Sequence, residues 1–295
     1  MAGPAHEERR RTARLTSRSA ALTRRTAVAL ATCALLLAAP AAAADLQPHT
    51  IAAFDRYVLV TEADARGGPF LRTDALPEVE RRAAVESMRQ GELFIESLRT
   101  REAGRTIDIP DGLVHHWLGS VFVLGATVDQ AVSLLQDYNQ HATIYRPNVA
   151  RSKVIARDGD VFRVYLRFFM KKVITVVVNS EHEARFTRLA ADRAESRIYS
   201  TRIVEVESPD TPQEREKPVG RDGGYLWRLY TYWRFLERDG GTYIQCEAIS
   251  LTRGIPFGVG WLVGPFVTSI PRESLTFTME ATRRTLTGQR ASSPR

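Results

Sequence analysis

The chain has 295 residues, room for one large domain or two small ones at roughly 100–200 residues each, and its 44% hydrophobic and 25% charged content excludes a disordered, collagen-like or disulfide-scaffold protein. The net charge of +7 gives no case for a DNA or RNA partner. Seven arginines and two glutamates fall within residues 1–44, leaving 34 basic against 32 acidic residues from Asp45 onward.

In chain order the first signal is a leader. Arg-rich residues 9–25 precede an uncharged run from Thr26 to Ala44, which ends in Ala-Pro-Ala-Ala-Ala-Ala before Asp45. Charged, apolar and small residues in that order define a secretory signal peptide at 1–44, and the small Ala42 and Ala44 suit a signal peptidase, so cleavage is expected at Ala44–Asp45. The mature protein is expected to be periplasmic or secreted. Arg24-Arg25 partly matches a twin-arginine signal. The alternative is an uncleaved anchor, since the run is close to the ~20 residues a membrane span needs. Cys33 lies inside the run, so Cys246 is the single cysteine of the mature chain. No intrachain disulfide can form there, and a lone Cys in an alternating strand reads as a small buried hydrophobe.

Residues 45–112 read as a helical lead-in with a hairpin. Ile51, Phe54 and Val58 stand at helical spacing, and a second helix is expected from Pro77 to about Gln90, with Gly91 as its cap. Residues 93–98 and 106–109 are strand-like and joined across Glu102-Ala103-Gly104-Arg105, which predicts a hairpin. This segment is too small for its own core and is expected to pack on the main domain that begins at Leu113.

From Leu113 the pattern changes. Residues 113–124 form an apolar strand; Thr127 then caps a helix with Gln130 three places on, and Val128, Ala131, Val132 and Leu135 form its buried stripe. After Tyr145-Arg146-Pro147 come six strands, at about 149–157, 160–170, 172–188, 196–207, 225–238 and 242–252. Short turns at Asp158-Gly159 and Asp239-Gly240-Gly241 make them a mainly antiparallel meander. Residues 208–224, with three prolines and three glycines among charges, read as a surface loop. A long helix closes the chain, its main segment starting at Pro271, and residues 288–295 are expected to be a disordered tail.

One strand, a helical excursion, six antiparallel strands and a long C-terminal helix resemble the START-like, or SRPBCC, superfamily of lipid-transfer domains and polyketide cyclases. The resemblance covers roughly residues 113–287 and includes Leu134-Leu135-Gln136-Asp137-Tyr138 and Ile255-Pro256-Phe257-Gly258. It implies an α+β helix-grip fold, a curved sheet wrapped around the last helix with a ligand cavity between them. The superfamily has no invariant catalytic motif, so the resemblance speaks to fold rather than chemistry.

Strand alternation supplies candidate cavity residues. In 225–237 one face carries Tyr225, Trp227, Leu229, Thr231, Trp233 and Phe235, and the other Arg228, Tyr230, Tyr232 and Arg234; the first is expected to face inward. Phe162, Val164, Leu166, Phe168 and Met170 are expected inward by the same test. Trp227, Trp233, Phe235 and Phe168, together with Trp261 and Phe266 before the last helix, are the candidate ligand-binding residues, and packed core is the alternative for each. Arg202 shares a face with Ile198, Val204 and Val206 and would point inward to meet an acidic ligand, unless a bulge turns it out or a glutamate pairs it. His115 and His116 must point to opposite faces. No catalytic motif, metal-site spacing or cofactor fingerprint is present. Lys171-Lys172 is a candidate peripheral contact with acidic lipid, against the reading of a solvated turn. The expected function is binding of a lipid, polyketide or other apolar small molecule. The alternatives are a cyclase- or hydrolase-type enzyme in the same cavity, using a residue such as His116 or Arg202, and a partner-binding protein with a filled core. The ligand's identity and the oligomeric state are not legible.

Overall fold

The structure, a computed structural model, describes residues 44–171, 175–254 and 260–292, with the backbone alone described at 44, 260–268 and 289–292. Its elements are β1 (Ala44–Asp45), α1 (Pro48–Arg66), α2 (Glu78–Arg89), β2 (Phe94–Ser97), β3 (Arg101–Glu102), β4 (Arg105–Thr106), β5 (Gly112–Leu124), α3 (Val128–Gln136) and α4 (His141–Ile144). Then follow β6 (Val149–Asp158), β7 (Val161–Lys171), β8 (Thr175–Ala190), β9 (Arg193–Glu207), β10 (Arg215–Glu216), β11 (Arg221–Asp222), β12 (Arg228–Arg238), β13 (Gly241–Arg253) and α5 (Gly260–Ser292).

The period-two stretches pair as one curved antiparallel sheet in the order β2-β5-β13-β12-β9-β8-β7-β6, with β10 added beside β9. Because successive side chains alternate, each strand serves two layers. The inner face carries Val121, Phe162, Val164, Trp233, Phe235 and Ile244, which pack with Leu275 and Met279 of α5. The outer face carries Ile249 and Leu251 under Phe54, Tyr57 and Val58 of α1, and Phe122, Leu236 and Tyr243 under Leu71 and Met88. The sheet thus grips α5 on one side and is covered by the lead-in on the other.

Gly119 sets how closely α5 can approach. A Cβ there would lie 3.0 Å from Met279 Cγ and 3.3 Å from Leu275 Cγ, so the helix seats on bare strand backbone at this point. The helix α3 forms where the sequence predicted it: the Thr127 hydroxyl accepts from the Gln130 backbone N–H, and Gln130 Oε1 accepts from the Thr127 N–H.

Three sequence expectations change. Phe94–Ser97 does not form a hairpin with 106–109 but joins the main sheet as the edge strand beside β5, and the small hairpin is β3–β4. Apolar side chains Phe94 and Ile95 find cover only on the sheet, which outweighs the local turn. The last helix begins at Gly260, placing Pro271 inside it, and it continues to Ser292 where a tail was expected. The lead-in packs on the outer face of the sheet, where it was expected to meet the main domain: Phe54 is fully buried and Tyr57 nearly so.

Phe54→Ala should therefore lower stability by about 3–5 kcal/mol, the usual cost of deleting a buried aromatic. Urea unfolding followed by both fluorescence and circular dichroism should show one shifted transition. Two separate transitions, or a loss below about 1 kcal/mol, would show that α1 is an appendage.

Candidate functional site

The inner face of β13 carries Cys246, Ala248, Ser250 and Thr252 at alternate positions, all small. In the sheet register Cys246 pairs with Trp233 and Gly119, Ala248 with Thr231 and Trp117, and Ser250 with Leu229. Where Trp233 and Phe235 stack, with centroids 6.3 Å apart and planes 7° from parallel, the interior is filled. One and two rows further along, Ala248 and Ser250 leave space between sheet and helix. The result is a cavity of about 230 Å³. Its walls come from β12 and β13, from Leu166, Phe168 and Met170 of β7, from His182 and Ile198, and from Leu135, Tyr138, His141 and Tyr145 of the helical excursion. Ile270, Pro271, Ser274, Leu275 and Thr278 of α5 complete it, and half-buried Asn148, Phe169, Met170, Tyr225 and Ile270 form the rim. Among the described lining residues there is no Asp, Glu, Lys or Arg.

The candidate residues divide. Trp233 and Phe168 line the cavity, whereas Phe235 lies behind Trp233 in the packed core. Trp227 does not line it. Regular pairing starts at Arg228, so the alternation of β12 does not reach position 227; the indole joins Phe54, Tyr57, Ile249 and Leu251 on the outer face, and its Nε1–H donates to Asp222 Oδ1 at 3.1 Å. Arg202 is also turned out. The register of β8 and β9 slips between Glu181 and His182, leaving Thr201 as the extra residue of a bulge, and beyond it the faces of β9 exchange. Arg202 then pairs with Glu216 at the surface, while Ile203 takes the inward side. The side chains of Trp261 and Phe266 lie outside the described residues, as do residues 1–43 of the leader and Lys172. Lys171 is exposed at the end of β7, next to Met170 of the rim.

His116 sits on the outer face, away from the cavity. Its Nε2 and Glu247 Oε1 are 2.8 Å apart, its Nδ1 is 2.9 Å from the Tyr57 hydroxyl, and that hydroxyl accepts the Thr100 N–H at 2.9 Å. This chain of bonds pins α1 and the segment after β2 to the sheet. Alternation in the sequence separates His115 from His116 but does not mark Tyr138, His141, Tyr145 or His182 as cavity residues. The readable signal for the site is the row of small residues 246, 248, 250 and 252, whose spacing of two opens an inner face.

The titratable side chains in and near the cavity are held neutral. Burial lowers His141 and His182 to about 4, and His115, whose Nε2 lies 3.1 Å from Thr252 Oγ1, to the same value. Burial raises the Tyr145 hydroxyl to about 12 and that of Tyr138 further.

An antiparallel sheet whose first long strand is followed by a helical excursion, whose remaining strands run as a meander, and whose inner face holds the C-terminal helix over a cavity decides the architecture. The fold is START-like. No family model and no curated protein matches the chain. Solved structures that are similar to this chain include a STAR-related lipid transfer protein from Xanthomonas axonopodis, 18% identical with a TM-score of 0.40, covering 64% of this chain and 98% of that one. The Zhui aromatase/cyclase from Streptomyces sp. R1128 is 13% identical with a TM-score of 0.42, covering 61% and 98%. Human STARD10 is 12% identical with a TM-score of 0.41, covering 74% and 84%. The strand order and the placement of α5 over the inner face are those of a helix-grip fold.

Three of the buried imidazoles, those of His115, His141 and His182, make the fold acid-sensitive. Their folded pKa lies below the unfolded value of 6.5, so the unfolded chain binds more protons between pH 6.5 and 4, and stability falls as pH falls through that window. Each should cost about 2 kcal/mol by pH 5 relative to pH 7.5. Urea midpoints across this range should fall steeply below pH 6.5 and stay flat above 7. An unchanged midpoint at pH 5 would contradict neutral, buried histidines.

Proposed function

We propose that this chain is an exported START-like module that holds a neutral, apolar small molecule of the lipid or polyketide kind between its sheet and α5. The observation that carries the reading is a cavity of about 230 Å³ walled by aliphatic and aromatic side chains, with no charged residue among its described lining. Apolar walls with a few placed polar groups are what a ligand pocket requires. A filled interior fits less well, because Ala248 and Ser250 of β13, with Thr231 beside Ala248 and Ser274 of α5 in the same lining, are too short to close the space between sheet and helix. The leader supports export: cleavage at Ala44–Asp45 would leave the domain starting at Asp45, whose carboxylate lies 3.2 Å from Arg221 Nε on β11. Lys171, beside the rim, is where an acidic lipid surface would be met.

The enzyme reading has one observation in its favour, the presence of two imidazoles and three phenols among the described lining of the cavity. An imidazole with a pKa of about 4 is a poor general base at neutral pH, which favours holding over chemistry.

Ala248→Phe separates cavity from core. In an open cavity the added ring fills space, so the variant should keep wild-type stability to within about 1 kcal/mol and lose binding of the neutral probe N-phenyl-1-naphthylamine. In a packed core the same change overpacks and costs about 1–3 kcal/mol, and wild-type protein shows no saturable probe binding. For export, intact mass of protein from the periplasmic or culture fraction should correspond to a chain starting at Asp45, and a full-length membrane-embedded species would refute it.

A further inference from the structure

His182, one of the residues that line the cavity, carries a polar atom that the rest of the fold leaves without a partner among the described residues. His182, on the inner face of β8, is 3% exposed and its Nε2 lies 2.9 Å from Ser180 Oγ. Ser180 in turn donates its single hydroxyl hydrogen to the Leu166 carbonyl at 3.0 Å. A carbonyl only accepts, so the serine hydrogen is committed, and Ser180 Oγ can serve the imidazole only as an acceptor. The hydrogen of that bond must then sit on Nε2. A neutral imidazole carries one N–H, so Nδ1 is a bare lone pair, and burial keeps the ring neutral. Nδ1 is fully buried and has no partner among the described residues. A second orphan belongs to another lining residue, the hydroxyl of Tyr138.

Buried polar atoms are rarely left unmatched, and each unmatched one is costly. An alkane-like ligand would leave both in that state. A carboxylate or phosphate would set its negative charge against a lone pair, in a cavity with no cation among its described lining. A ligand hydroxyl solves the problem, donating to Nδ1 while its oxygen remains free to accept. We infer that the ligand of this cavity is a neutral alcohol or phenol whose hydroxyl hydrogen is accepted by His182 Nδ1, with Ser180 as the positioning residue that fixes the imidazole tautomer. This deepens the proposed function and rests on it, since it presumes that the cavity is open to an apolar molecule.

Four probes with one two-ring skeleton test it: naphthalene, 2-methoxynaphthalene, 2-naphthol and 2-naphthoate, titrated calorimetrically into the wild-type protein at pH 7.5. The expected order places 2-naphthol about tenfold tighter than 2-methoxynaphthalene, which lacks the donor, with 2-naphthoate the weakest. In His182→Phe the preference for naphthol over its methyl ether should vanish while naphthalene still binds. Ser180→Ala removes only the acceptor that holds the tautomer. It should shrink the same preference, and the imidazole ¹⁵N spectrum should change from a protonated Nε2 to a mixture. Retained naphthalene binding shows that a variant is folded, and circular dichroism confirms it. If naphthalene binds but its hydroxyl and methoxy derivatives bind equally, or if ¹⁵N spectra place the proton on Nδ1, the inference is overturned and the cavity reading stands. If none of the four binds, both fall.

Discussion

Everything in this molecule depends on how α5 meets the sheet. Close approach at Gly119 lets Leu275 and Met279 drop into the strand row of Trp233 and Cys246, and this contact fixes the helix over the inner face. From that seat toward the rim the sheet presents Ala248 and Ser250 instead of large residues, so a helix held at one end spans a gap at the other. Core and cavity are therefore two consequences of one packing choice. Interiors are close-packed when side-chain volumes allow it, and here the volumes along β13 do not.

The outer layer answers a different requirement. A sheet whose inner face borders a cavity needs rigidity from the other. Helix α1 supplies it through Phe54 and Tyr57, and the Tyr57–His116–Glu247 chain orients that packing by hydrogen bonds rather than by area alone. Arg72 adds a bidentate pair with Glu96, both bonds 2.8 Å, tying the segment between α1 and α2 to edge strand β2. On the far side Arg167, whose side chain is nearly fully buried, takes both oxygens of Glu214 at 2.9 Å and holds the long loop 208–224 against β7. Removing one partner of such a pair leaves a buried charge, so the pair fixes where the loop lies even if its net contribution to stability is small.

The parts of this arrangement that the sequence expresses are those with unbroken periodicity. Strands β7 and β12 alternate without interruption over their length, which is why spacing alone places Leu166, Phe168, Leu229, Thr231 and Trp233 on the inner face. Thr127 and Gln130 are legible as a cap because both halves of that motif are local. The features that escape the sequence depend on partners distant in the chain. A one-residue bulge at Thr201, invisible in β9 itself, exchanges its faces and puts Arg202 beside Glu216. Trp227 follows Asp222 and the edge of α1 instead of the strand it precedes. The edge strand β2 is defined by its neighbour β5, not by its own turn. His182 gains its meaning from Ser180 and the Leu166 carbonyl, a relation set by register across two strands.

The central claim is that the space between β13 and α5 is open and apolar, and a crystal pressurised with xenon tests it most directly, because dry cavities lined by apolar side chains take up the gas. The account predicts a xenon site bounded by Leu229, Thr231, Ala248 and Leu275, with the backbone unchanged. A crystal with no xenon there, and with the Trp233 or Phe168 ring turned into the space, would contradict it.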